Sequence, residues 1–564
     1  MQLWESAPSS AARERSASRA GLQRKIDWTG AFWVASGVPA LVLFSLGAVS
    51  STVGRPAWII WTVSIVFGFL QSFTYAEMAG LFPNKSGGAS IYGALGWVRY
   101  SKLVAPVSVW CNWFAWSPVL AIGSGLAAGY ILSAVFPADA PINTWQFVLL
   151  DLDLLRSGLS LRVNSTFLLG AAILFITFAI QHGGILRSAR TTMVLGTLGL
   201  LPLVLIALTP LLHGGLAVNH FLPVVPSLRD AQGYVSDGRW DLPGWTVVAG
   251  GLFVAAWSTY AFETAVCYTR EFSNPRSDTF KAIFYTGLLC LFVYIMLPLA
   301  FQSYLGPGEL VHPAQLDAQG HLLAPAVYGG MLAPDIYSGT GVAAVLTRMV
   351  KGGAAVEHLV LLMLFLTLCH SIMAAMAGSS RTLYQAAVDG WLPRYLARTN
   401  DNGAPVAAMW TDLAFNLVLL LMSDYVFVLA ASNVGYLIFN FLNLNAGWIH
   451  RIDRPEDSRP FRVPDWLLAF GIVLSFVNIA LIGFGADVWG PGTLFAGLGF
   501  SALIIPVFLY RHYIQDGGVF PKEALVDIRL PADASGPGRA GALPMLTLAC
   551  GASLLLVCYR VAVH

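Results

Sequence analysis

Residues 359–380 read LVLLMLFLTLCHSIMAAMAGSS, with no Asp, Glu, Lys or Arg among them. As an α-helix such a stretch is about 33 Å long, enough to cross the hydrocarbon core of a bilayer. Comparable runs recur at 32–54, 57–82, 103–136, 164–182, 191–213, 243–268, 280–304, 356–381, 405–422, 424–449, 465–485 and 490–510. A further apolar stretch, 541–559, has the length for a thirteenth crossing, a hairpin or a helix lying on the surface. Charged residues make up 11% of the 564 residues and apolar types 56%, where a soluble protein carries roughly 25% charged residues. The sequence therefore reads as an all-α integral membrane protein of about twelve transmembrane helices, with a thirteenth left open.

The Lys and Arg residues set the expected orientation. Of the 32, 24 fall in the N-terminal tail and in segments 83–102, 183–190, 269–281, 381–404, 450–464 and 511–540. Seven fall in the alternate connections. This bias places the N-terminus in the cytoplasm of a cell membrane, plasma or inner, and the long connections 137–163, 214–242 and 305–355 outside. The last of these, rich in Gly, Pro and Ala, is expected either to carry short helices over the outer mouth or to be a mobile surface loop. Residues 1–31 are polar and basic and lack the apolar core of a cleavable signal peptide, so the first span serves as its own insertion signal. A net charge of +2 without a basic cluster gives no sign of a nucleic-acid partner. The six cysteines lie in apolar runs without metal-ligand spacing, and the sequence carries no sign of oligomeric state.

Three motifs sit at the ends of these spans. Tyr75-Ala76-Glu77-Met78 is followed by Pro83 and Ser86-Gly87-Gly88-Ala89-Ser90-Ile91-Tyr92. Ser380-Arg381-Thr382-Leu383-Tyr384 is followed by Asp389-Gly390-Trp391-Leu392-Pro393 and Gly403-Ala404-Pro405. Arg459-Pro460-Phe461-Arg462-Val463-Pro464 follows span 10. Together they resemble passages of the amino acid–polyamine–organocation permeases, over roughly residues 22–510. The resemblance implies a leucine-transporter-like fold of two inverted five-helix repeats, 32–213 and 243–449, followed by two helices at 465–510 and a tail from 511 to 564. In that fold the first helix of each repeat is broken at mid-membrane. Broken backbone leaves N–H and C=O groups without partners, so the substrate is expected at spans 1 and 6.

Span 1 contains Ser36-Gly37-Val38-Pro39-Ala40-Leu41, where Pro39 removes a donor and Gly37 loosens the backbone. The glycine-rich passage usual in the family would align near Ala40-Leu41-Val42 and is absent, so either the unwinding sits one turn earlier or carboxylate recognition is altered. Span 6 contains Trp257-Ser258-Thr259-Tyr260-Ala261-Phe262-Glu263, similar to the family's segment with Ala261 in place of glycine. Ser258 and Thr259 are candidates to satisfy freed backbone, and Trp257 and Tyr260 to wall or gate the site. Glu263 is ionisable within a span and hence a functional candidate; its motif position suggests the helix break or an inner gate. Asn112 in span 3 either bonds another helix or contacts substrate. His370 in span 8 either couples protons or is a satisfied core residue. Glu77 and Arg381, at membrane borders, are gate candidates able to reach water or pair with one another, or else interfacial anchors.

The function expected is a secondary transporter that moves an amino acid or related amine by alternating access. It would need no cofactor, and its coupling is open between H⁺, Na⁺ and exchange. Span 5 lacks a lysine that could carry a proton. The alternatives are a nucleobase or choline-like substrate on the same fold, and a nutrient sensor. An enzyme is disfavoured by the absence of HExxH, GxSxG and paired intramembrane aspartates. Spans 1, 3 and 6 lack Arg or Lys near the proposed site, and Glu263 is their one carboxylate, which favours neutral or zwitterionic substrates.

Overall fold

The computed structural model describes residues 22–137, 140–153, 158–317, 319–522, 524 and 538–563. Most of the tail expected over 1–31 and much of 511–540 therefore lies outside the described residues. Among the described residues, eleven helices are long and apolar enough to cross a membrane. In the first half of the chain these are α1 (Trp28–Val53), α2 (Ala57–Leu81), α3 (Val104–Val135) and α5 (Ile185–His213). They continue with α6 (Leu242–Glu271), α7 (Pro275–Leu305), α8 (Ala354–Val388), α10 (Tyr425–Asp453), α11 (Asp465–Trp489), α12 (Thr493–Gln515) and α13 (Leu543–Val563). Two shorter apolar helices, α4 (Ser165–Gln181) and α9 (Val406–Leu420), fall on the remaining expected spans.

Side-chain caps start several of these helices. Asp27 accepts from the amides of Thr29 and Gly30 at the start of α1, and Asn164, Asp241 and Asp424 do the same for α4, α6 and α10. Each supplies an acceptor to amides that the first helical turn leaves unpaired. The long connections carry more than was expected. Four two-stranded antiparallel hairpins lie on them, and the last also holds the short helices Pro334–Tyr337 and Val342–Met349. Pro334–Tyr337 presses on α1, where a Cβ on Gly47 would lie 1.8 Å from the Ile336 carbonyl oxygen. Of the two alternatives for this connection, the structure shows short helices, one of them packed on α1.

Helix α8 corrects one boundary. It runs to Val388 rather than ending near 381, so Arg381 is a buried residue inside a helix and not a border group. Helix α1 stops at Ala35, passes through a 3₁₀ turn at Val38–Leu41 and resumes at Val42. Helix α6 is α-helical to Thr259 and 3₁₀ over Ala261–Glu271. Both breaks lie where Pro39 and the 257–263 segment placed them.

The apolar stretch at 541–559 is helical, and its ends fix its course. Near its start the Ala540 amide bonds the Tyr100 hydroxyl (3.1 Å) and Asp453 (3.2 Å). Near its other end Tyr559 meets Phe495 edge-on, and Cys558 lies against Gly483 at the far end of α11. Its 21 residues make about 31 Å of helix. Cysteines replacing Val563 and Ser236 should therefore react with an impermeant thiol reagent from one side of the membrane, and one replacing Asn84 from the other. Labelling of positions 563 and 84 from the same side would refute the crossing of α13.

Candidate functional site

Side chains from α7 and α8 reach carbonyl groups at the break in α1. The Trp33 carbonyl accepts from Ser36 Oγ (2.8 Å) and from His370 Nε2 (2.9 Å). A carbonyl only accepts, so Nε2 carries the proton. The Gly37 carbonyl accepts from Ser371 Oγ (2.8 Å), and the Val38 carbonyl from the Tyr294 hydroxyl (3.0 Å). The same hydroxyl lies 3.1 Å from the carbonyl of Ser258 at the end of the α-helical half of α6. Closeness is built in: a Cβ on Gly37 would come within 2.8 Å of the His370 carbonyl oxygen.

Ser258 and Thr259 do not cap the break as expected. Their hydroxyls bond back to the Ala255 carbonyl, and Thr259 also meets Ser64 of α2 at 2.7 Å. Trp257 donates to the Ala115 carbonyl of α3 (3.1 Å). The Tyr260 hydroxyl reaches Asn478 of α11 (3.3 Å). Ser36, Val38, Pro39, Ala40, Leu41, Asn112, Trp257, Ser258, Thr259 and Tyr260 are all buried, so the centre is closed to both faces.

Glu263 lies just past the break of α6. Its Oε1 accepts from Asn112 Nδ2 (3.2 Å) and from Trp116 Nε1 (3.2 Å). Asn112 Oδ1 accepts from Ser90 and is within reach of Thr382 of α8. Thus Asn112 joins α3 to α6 and α8. The other side of α3 faces a second buried carboxylate, Asp412 of α9, which accepts from Trp113 (2.9 Å), Ser117 (2.5 Å) and Ser379 (2.5 Å). Both carboxylates take neutral donors, and Oε2 of Glu263 has no hydrogen-bond partner among the described residues, unlike the acidic groups paired with Arg and Lys below.

Toward the segments bearing most of the basic residues lie buried ion pairs. Arg381 forms a two-pronged pair with Glu271 at the end of α6, and its guanidinium lies over the Tyr268 ring. Lys85 pairs with Asp389 at 2.5 Å, and Gln385 bonds both Ser86 and Asp389. The Gly87-Gly88 pair explains itself here. Both glycines have positive φ, a Cβ on Gly88 would sit 2.6 Å from Cys267 Sγ, and the Gly87 amide bonds the Cys267 carbonyl. Glu77 belongs to a separate lock: Arg451 (2.6 Å), Arg459 (3.1 Å) and the Val463 amide (2.7 Å) converge on it. Glu77 and Arg381 therefore do not pair with one another. The first ties α2 to α10 and to the Arg459-Pro460-Phe461 segment, and the second ties α8 to the end of α6.

Two broken helices joined at their carbonyls beneath a charged closure are the parts of a permease centre, and comparison with known proteins settles the kind. The profile of the family described as "Amino acid permease" matches residues 26–500. The chain belongs to the amino acid permease family. Among curated proteins this permease is similar to "Polyamine transporter RMV1" of Arabidopsis thaliana, 23% identical over 450 residues that cover 76% of each chain. It is also similar to "Polyamine transporter PUT1" of Oryza sativa subsp. japonica, 23% identical over 476 residues covering 81% of this chain and 75% of the relative. The permease is thus a membrane transporter of the amino acid and amine class, not an enzyme.

Sequence reading missed Tyr294, Ser371, Glu271, Lys85 and Asp389. Nothing distinguishes Tyr294 among 19 tyrosines, or Ser371 among the small polar residues of α8, before the helices are brought together. Asp412 did carry a signal, as a carboxylate inside an apolar run. The buried pair yields a direct test. Arg381→Ala leaves Glu271 charged and unpaired, which costs about 3–5 kcal/mol. The purified variant should melt markedly earlier than the wild type, and pairing it with Glu271→Gln should recover much of the loss. Equal melting of wild type and Arg381→Ala would show that the pair is solvated.

Proposed function

We propose that this permease is a secondary active transporter that carries an organic amine across the membrane by alternating access. The amine's ammonium group would bind between the breaks of α1 and α6, with Glu263 as its counter-charge. The observation that carries the reading is Glu263 itself: a fully buried carboxylate beside the α6 break whose partners are the neutral groups of Asn112 and Trp116. An ionised carboxylate in such a setting is favoured by a mobile cation that arrives and leaves. This shifts the preference from the neutral or zwitterionic solutes suggested by the sequence toward cationic amines, in line with the polyamine transporters among its relatives. A zwitterionic amino acid is the second reading, supported by the family's description.

Alternating access would follow from the two closures. The loop helix Pro334–Tyr337 on α1 closes one face, and the Arg381–Glu271 and Lys85–Asp389 pairs close the other. Opening the charged face separates ions that water can then solvate, so the open state does not carry bare buried charge.

Thermal-shift screening of the purified protein against the amino acids, common polyamines and 4-aminobutyrate separates the readings. A diamine should give the largest shift, and Glu263→Gln should weaken its binding by about ten- to a hundredfold while the protein still folds. A shift confined to neutral amino acids, unchanged by Glu263→Gln, would instead select the zwitterionic substrate.

His370 serves on this reading to hold the Trp33 carbonyl. Its other ring nitrogen, Nδ1, has no hydrogen-bond partner among the described residues and sits against Gly196 of α5, where a Cβ would lie 3.3 Å away. Glutamine can reach the same carbonyl without titrating. His370→Gln should therefore retain uptake with its pH profile intact, and a flattened profile would assign the coupled proton to His370.

A further inference from the structure

Tyr294 of α7 stands where the two broken helices meet. Its hydroxyl oxygen is 3.0 Å from the Val38 carbonyl oxygen of α1 and 3.1 Å from the Ser258 carbonyl oxygen of α6. The residue is fully buried, and its ring stacks on Trp61 of α2 with centroids 5.7 Å apart. A phenol has one proton, whereas two carbonyls offer two lone pairs each. One donor is thus shared between two acceptors, one at each helix break. The field at this point has a definite sign as well. Trp28–Ala35 and Leu242–Thr259 both end here, and the C-terminal end of a helix carries partial negative charge. Two converging carbonyls at two negative helix ends suit a cation with several protons, and a neutral hydroxyl is what they hold.

We infer that Tyr294 is a stand-in for the ammonium group of the substrate. Its hydroxyl bridges Val38 and Ser258 until an ammonium group takes the place, bringing three donors and a full charge where the phenol brings one donor and none. The exchange has two consequences. It sets the affinity, since each binding event must break the hydroxyl's bonds to the carbonyls. It also releases α7 from both breaks when substrate is seated, which frees the halves of α1 and α6 to move relative to it. The inference rests on the proposed reading that the substrate is an organic amine, and it adds the residue that competes with it.

Tyr294→Phe keeps the ring and its stacking on Trp61 and removes only the competing donor. Binding of 1,4-diaminobutane to purified wild type and variant is measured by titration calorimetry, with thermal unfolding as the check on folding. The dissociation constant should fall about three- to tenfold in the variant. In proteoliposomes KM should fall together with kcat, because the more tightly held amine leaves more slowly. A dissociation constant that is unchanged or raised, in a variant that still unfolds cooperatively above the assay temperature, would overturn the role of Tyr294. A second measurement needs no variant: N,N′-diacetyl-1,4-diaminobutane keeps the carbon chain without the charges and should not bind wild type. Binding as tight as that of the diamine would overturn the inference. Failure of the diamine itself to bind wild type would overturn the amine reading and the inference with it, whereas binding unaffected by Tyr294→Phe defeats the inference alone.

Discussion

A helix interrupted inside a bilayer exposes carbonyl groups where no water can reach them, and the centre of this permease is organised around that cost. At the break of α1 the carbonyls of Trp33, Gly37 and Val38 take side-chain donors, and at that of α6 so does the carbonyl of Ser258. His370, Ser371 and Tyr294 meet them from two other helices. The unwound segments are therefore stabilised from outside themselves. The positions of α7 and α8 are tied to the breaks by the same contacts, since a shift of either by an ångström or so would lose a buried hydrogen bond. Such groups are costly to leave unpaired, about 1–3 kcal/mol each.

Charge is used differently at different depths. Near the centre, Glu263 and Asp412 are held by neutral donors from α3, α8 and α9. Toward the basic face, carboxylates are matched with Arg and Lys: Glu271 with Arg381, Asp389 with Lys85, Glu77 with Arg451 and Arg459. The Glu77 group has four donors from three residues of one neighbouring region, a geometry suited to a permanent joint between α2 and α10. The other two pairs each join different elements: Arg381 and Glu271 tie α8 to α6, and Lys85 and Asp389 tie the segment after α2 to the end of α8. A pair of that kind adds little net stability but is specific, because each partner alone is strongly disfavoured in a dry setting.

Much of this protein was legible as sequence because the signals were local. Apolar length gives a crossing helix whatever surrounds it, so all twelve expected segments, and 541–559 besides, are helical. Proline at 39 disrupts a helix through its own missing donor, and Gly87 and Gly88 supply the positive φ that their turn requires. Less legible were boundaries. Polar residues such as Arg381 read as the end of a span, yet α8 carries them two further turns inside the fold, because Glu271 is there to receive the charge.

Partner choice is where reading the chain alone stopped. Sequence marked Glu77 and Arg381 as charges needing company, but 304 residues separate them and the spacing along the chain says nothing about distance in space. Only the folded arrangement gives Arg381 to Glu271 and Glu77 to Arg451. It likewise passes over Ser258 and Thr259, adjacent to the break, in favour of Tyr294 from the following helix. The sequence by itself determined that the chain crosses a membrane many times, where helix α1 breaks, and which family's motifs sit at the span ends, since each depends on hydropathy or on backbone chemistry within a few residues; the break of α6 was implied by the resemblance. The tertiary structure alone decided which side chains satisfy the broken backbone and which ions face one another, because a hydrogen bond or a buried ion pair exists only where two helices far apart in sequence present donor and acceptor at about 3 Å.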